Sequence, residues 1–173
     1  NGDHRIAATD TWLLLGTQFK ASFYTTSAGP GSAWSTTAAD EVSWTSDVGY
    51  GGQVALTNNF AVVAVRDAYE NGRVFLYTHD GLGDWSTTPR IELDNSNVVS
   101  SPNAWNTGWK WFGHDVSITN TWVAVGTKGA RQTFLYKNTG ESWISVGETQ
   151  LIAEPDVRNF GWNVDMTDSW LAI

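Results

Sequence analysis

Cysteine is absent from the 173 residues, so disulfides and thiolate metal centres are excluded. The lack does not fix a compartment, because a multi-sheet β fold builds its core without disulfides. Cationic side chains are scarce: 10 Lys and Arg stand against 18 Asp and Glu, giving a net charge of −8. Phosphate binding needs clustered Lys and Arg, so nucleic acid is excluded as a partner. No apolar run is long enough to span a bilayer, and no signal-peptide pattern opens the chain. Three His without any Cys are too few for a zinc set, and no metal site or cofactor is expected.

What the chain has instead is glycine, tryptophan and recurrence. It carries 17 Gly and 11 Trp. One order of features returns along it, clearest from Phe112 to Trp143. Tyr50-Gly51, Phe112-Gly113 and Phe160-Gly161 share a column, with Gly2-Asp3 as a degenerate first member. These stand at intervals of 48, 62 and 48 residues. An alternating Val54-x-Leu56, Val116-x-Ile118 or Val164-x-Met166 follows, as a half-buried strand would. Then come continuous apolar runs at Trp12–Leu15, Phe60–Val65, Trp122–Val125 and Trp170–Ala172, which suit strands covered on both faces. Tyr24, Tyr77 and Tyr136 mark a third strand rich in aromatic and β-branched residues. A weaker fourth is placed at Glu41-Val42, Ile91–Leu93 and Gln150–Ile152. Trp34, Trp85 and Trp143 close the copies. A period near 50 residues with four antiparallel strands per copy predicts an all-β fold of β-propeller blades, about three plus the start of a fourth.

The order Phe-Gly, Val-x-Ile, Val-Ala-Val-Gly, Phe-Leu-Tyr resembles the FG-GAP repeat of integrin-α-type propellers. That resemblance implies a secreted or cell-surface protein. The chain departs from the pattern in two places. Gly126-Thr127-Lys128 stands where the family often has Gly-Ala-Pro, and Thr119-Asn120-Thr121 replaces the Asp-rich calcium loop.

The copies divide the chain into residues 1–49, 50–111, 112–159 and 160–173, and the pattern stops inside a second strand. The expectation is a segment of a longer protein. Leu13 to Leu15 and Met166 to Ile173 would then face other blades or neighbouring subunits. The recurring Trp12, Trp122 and Trp170, like Trp34, Trp85 and Trp143, read as packing residues that are largely buried. The surplus length of the second copy lies in 95–111, which adds the non-recurring Trp105, Trp109 and Trp111. Loops on rigid scaffolds carry function. Asn103, Trp105, Asn106, Trp109 and Trp111 are therefore the candidate contact residues, for a protein partner or for a glycan stacked on indole. The competing reading is a hydrophobic plug folded over the propeller.

Asp67, Glu70 and Asn71 lack the alternating acidic order that wraps calcium, and an acidic turn is expected there. The Arg residues share no column, and nothing sets a His against a Ser, so no catalytic constellation is found. The expected function is a non-enzymatic interaction and assembly module. A lectin-like propeller is the first alternative, and an enzyme whose catalytic residues lie outside these residues is the second.

Overall fold

The computed structural model describes residues 5–28, 31–44, 50–66, 72–85, 90–98, 110–145, 151–152 and 159–173. All described regular structure is β. The first sheet contains β1 (Arg5–Ala8), β2 (Trp12–Gly16), β3 (Lys20–Thr25) and β4 (Asp40–Ser43), in that order and antiparallel. The second repeats it with β5 (Tyr50–Leu56), β6 (Phe60–Arg66), β7 (Arg73–Thr78) and β8 (Ile91–Glu92). The third has β9 (Phe112–Ile118), β10 (Trp122–Thr127) and β11 (Gln132–Asn138), and its outer strand is split. β12 (Trp143–Ser145) pairs with Tyr136–Asn138, while β13 (Leu151–Ile152) pairs with Gln132 and Thr133. A hairpin of β14 (Asp165–Met166) and β15 (Leu171–Ala172) follows. Four-stranded antiparallel sheets in sequential order are the form of propeller blades.

The hairpin joining the first two strands is built the same way each time. A Thr stands three residues before the aromatic that opens the second strand, at Thr9, Thr57, Thr119 and Thr167. Its hydroxyl accepts the amides two and three residues on, at 3.3 and 3.1 Å for Thr9 and 3.1 and 3.0 Å for Thr119. Its own amide donates to the carbonyl of that aromatic, at 2.8 or 2.9 Å. Such side-chain bonds satisfy turn amides that the ladder cannot reach.

Side-chain alternation on β6 divides the interior into two cores. Ala61, Val63 and Val65 join Phe75, Tyr77 and Trp85 against Trp12, Leu14 and Phe23 of the first sheet. Val62 and Ala64 join Val74 and Leu76 against Phe112, Val116, Val123 and Val125 of the third. A strand flanked on both sides needs apolar residues at every position, and residues 61–65 are all buried. In β2 only Trp12, Leu14 and Gly16 are buried, with Leu13 and Leu15 half-buried on the opposite face. The first sheet is thus covered on one side more than on the other.

The Phe-Gly pairs set the spacing between sheets. Gly113 has φ +80°, and a Cβ there would lie 2.7 Å from Val74 Cγ2 and 2.8 Å from Ala64 Cβ of the preceding sheet. Gly161 repeats this at φ +74° against the Gln132 carbonyl and the Thr127 amide. Only glycine combines that backbone conformation with so close an approach.

Candidate functional site

Two surfaces can be built from the described residues: an aromatic seam that recurs between sheets, and a local cluster at the end of the 95–111 segment.

The seam joins two repeat positions. The aromatic that opens the second strand points toward the following sheet, and the closing Trp of that sheet meets it. Trp12 meets Trp85 edge-on, with centroids 5.5 Å apart and planes at 89°. Phe60 meets Trp143 in the same way, at 5.2 Å and 83°. Edge-to-face geometry sets the positive rim of one ring on the negative face of the other. Trp85 also stacks on Phe23 at 4.8 Å and 9°, and its amide donates to Asp40 Oδ2 at 2.7 Å. Along the hairpin tips, Asn58 Oδ1 accepts the hydroxyls of Thr9 and Thr11 at 2.6 and 2.9 Å, and Asn59 Nδ2 donates to Asn120 Oδ1 at 3.3 Å. Each junction therefore has an apolar lock and a polar one.

The expectation that all members of the two Trp columns are buried is corrected here. Trp85 is fully buried and Trp12 nearly so, but Trp122 and Trp143 are only half-buried. Trp34 is 38% exposed and Trp170 81% exposed. Burial depends on the adjoining sheet as well as on the residue's own strand, and even the paired Phe60 and Trp143 are half-buried. Trp12 and Phe60 have a closing indole against them. Among the described residues, Trp122 has the Lys137 ammonium over its ring, at 5.4 Å, and no closing indole.

Of the predicted contact residues, Asn103, Trp105, Asn106 and Trp109 lie outside the described residues, as does the Asp67–Asn71 turn. The described ends of the 95–111 segment lie on the body of the protein. Val98 is buried in the core between the second and third sheets, and Asn95 Nδ2 donates to the Gly72 carbonyl at 3.0 Å. The buried Tyr136 hydroxyl donates to the Asp94 carbonyl, and burial pushes its phenol far above the ordinary tyrosine range.

Trp111 is described, in the left-handed region at φ +51°, an uncommon conformation for a bulky residue. It stacks on His114 at 5.8 Å with planes 6° apart, and the Lys128 ammonium sits 4.5 Å from its centre. The same ammonium is 3.8 Å from Trp162, whose carbonyl lies 2.8 Å from His114 Nδ1. One cation between two indoles is a favourable cation–π arrangement. It ties the turn after β10 to the turn before β14. Trp111 is thus engaged within the protein, and a sugar-stacking role would rest on residues 103–109.

The first strands bring one further polar group inward. Burial raises the Asp115 carboxyl, against the lowering effect of the Val164 and Val116 amides, the Asn163 side chain and the Arg5 charge. Asp115 Oδ2 accepts the Val164 amide at 2.8 Å, and Ser117 Oγ donates to Asp165 Oδ1 at 3.3 Å. These bonds hold the β14–β15 hairpin to β9. Among the described residues no group of three or more His, Cys, Asp or Glu could hold a metal ion.

Sequence reasoning missed the turn threonines and the pairing of the two aromatic columns. The Thr was legible, as the same residue three places before each strand-opening aromatic. The pairing was not, because it links one copy's second strand to the next copy's closing residue.

No family model matches the chain. Over 112 residues it is 27% identical to the protein transport protein sec13 of Schizosaccharomyces pombe, a match covering 65% of this chain and 32% of that protein. The chain thus spans about a third of the length of the relative it matches. This overturns the expectation of an extracellular or cell-surface protein, which the FG-GAP resemblance implied. A likeness to a protein that serves protein transport points away from that placement. The repeat itself is that of a propeller-type array of four-stranded antiparallel sheets.

Proposed function

We propose that this chain is part of a β-propeller with FG-GAP-like repeats that works as a non-enzymatic protein-interaction and assembly module. The observation that carries the reading is the repeated aromatic seam, which packs each four-stranded sheet against the next as in a stacked array. The protein-transport role named for the fission-yeast relative fits an assembly part better than a catalyst.

Cross-linking mass spectrometry on the protein in its native extract tests the reading. Lys20 on β3 and Lys137 on β11 are exposed and report on different sheets. Cross-links from these lysines to other polypeptide are expected. Turnover of a substrate by purified 1–173, or lysines that link only within their own chain, would refute it.

A further inference from the structure

We infer that Trp111 and Trp162 are the walls of a binding site for a methylated alkylammonium ion, with the Lys128 side chain as its built-in occupant. The site goes beyond the assembly reading and does not depend on it. The Lys128 ammonium lies 4.5 Å from the centre of the Trp111 ring and 3.8 Å from that of Trp162. Both are inside the distance of about 6 Å over which an indole face attracts a cation. His114 fixes the two walls at once. Its ring lies at 6° to Trp111, its amide donates to the Trp111 carbonyl at 3.0 Å, and Nδ1 lies 2.8 Å from the Trp162 carbonyl. A carbonyl only accepts, so Nδ1 carries the proton and donates. Trp111 is held at φ +51°, and strained residues of that kind cluster at ligand clamps.

The fold does not call for this cluster. The turn threonines and the Phe-Gly pairs recur because every copy needs them. The positions of Trp111, Lys128 and Trp162 do not repeat in this way. The corresponding sets are Asn1, Gln18 and Gly52 at the first junction and Gly49, Asp67 and His114 at the second, with neither an indole nor a lysine in either. The chemistry then selects the ligand. A primary ammonium carries three N–H donors and is strongly hydrated, and an indole face meets neither need well. A quaternary ammonium has no N–H to satisfy and keeps its full charge for the two rings, which is how aromatic cages hold choline and methylated lysine. Lys128 is half-buried on a flexible four-carbon stem, and Trp162 is 36% exposed. The occupant can therefore leave toward solvent and the ligand can enter. An N-methylated lysine side chain and free choline both carry the required ion.

NMR of the indole N–H signals tests this, with tetramethylammonium, choline and a trimethyl-lysine peptide as probes and sodium chloride at equal ionic strength as control. Lys128→Ala empties the cage. Lys128→Gln does the same with the residue that Gln18 supplies to this column in the first copy, and it replaces the Ala variant if that one fails to fold. Saturable shifts of the Trp111 and Trp162 signals with tetramethylammonium are expected in the Lys128 variant. Its Kd should be roughly tenfold or more below that of wild type, in which Lys128 competes. Adding Trp111→Ala to the Lys128 variant should weaken binding roughly tenfold or more. Saturation by the peptide, by choline or by both names the source of the ion. The proposal is overturned by equal binding in wild type and the Lys128 variant, by binding that survives Trp111→Ala, or by no saturable shift in a folded Lys128 variant. Binding of tetramethylammonium with neither choline nor the peptide would also overturn it. None of these outcomes bears on the cross-linking test of the assembly reading.

Discussion

Replacing Trp85 by Ala removes the central ring of the first junction. The indole is fully buried among Phe23, Trp12 and His79, at centroid distances of 4.8, 5.5 and 4.9 Å. Truncating a buried Trp costs about 3–5 kcal/mol when the site cannot collapse around the gap. One feature works the other way. Trp85 Nε1 is buried with no partner among the described residues, and removing an unsatisfied donor recovers about 1–3 kcal/mol. The net loss expected is about 0–4 kcal/mol with a centre near 2 kcal/mol, and at that centre the melting temperature falls by roughly 4–8 °C for a chain of this size. Trp85→Phe separates the two contributions, since it keeps a ring on Phe23 and drops the N–H. Its net cost should stay near 1 kcal/mol, in line with a conservative core swap. Trp34→Ala, at an indole 38% exposed, should change stability by about 0.5 kcal/mol or less. Urea unfolding of the three variants is the assay. The reasoning fails if Trp85→Phe is as damaging as Trp85→Ala, or if Trp34→Ala matches either of them.

Two further outcomes follow from the same packing. Gly113→Ala places a methyl within 2.8 Å of Val74 and Ala64 and forces a non-glycine residue to φ +80°, so a loss of about 2–3 kcal/mol is expected; Gly31→Ala, at φ +84° in open space, should lose about 1 kcal/mol and serves as the control in parallel thermal melts. Asp115 has its carboxyl raised by burial, so between its unfolded and folded pKa the native state holds more proton than the unfolded chain; stability contributed by this group therefore falls as pH rises through that window, and Asp115→Asn should remove that decline, read as a flatter dependence of the urea midpoint on pH from the ordinary carboxylate range upward.

The strands were legible because their periodicity is local. Val-x-Ile alternation and the apolar run at 60–65 are properties of single strands, and they predict β5, β6, β9 and β10 without reference to neighbours. The Phe-Gly column was legible too, since a glycine needed at positive φ leaves no substitute. The outer strand of the third sheet was only half visible: Gln150–Ile152 signals β13, while β12 is carried by Trp143 and Ile144, which read as a closing residue and its neighbour. The candidate contact residues were chosen because their tryptophans do not recur, and the one that is described, Trp111, is held by Lys128 and His114.

Recurrence predicts equivalent geometry, and the structure bears that out in the registers Leu13–Tyr24, Ala61–Tyr77 and Val123–Tyr136. It does not predict equivalent burial. In a stacked array each sheet is buried by its neighbours, so the exposure of a repeated side chain reports which neighbour is present and not which residue it is. Trp12 and Trp170 hold the same place in their hairpins, each with its amide on the turn threonine, at 3.1 Å in both. One is in the core and the other is 81% exposed. That difference within a single column reflects the neighbouring sheet and not the residue, and no inspection of one repeat alone could have found it.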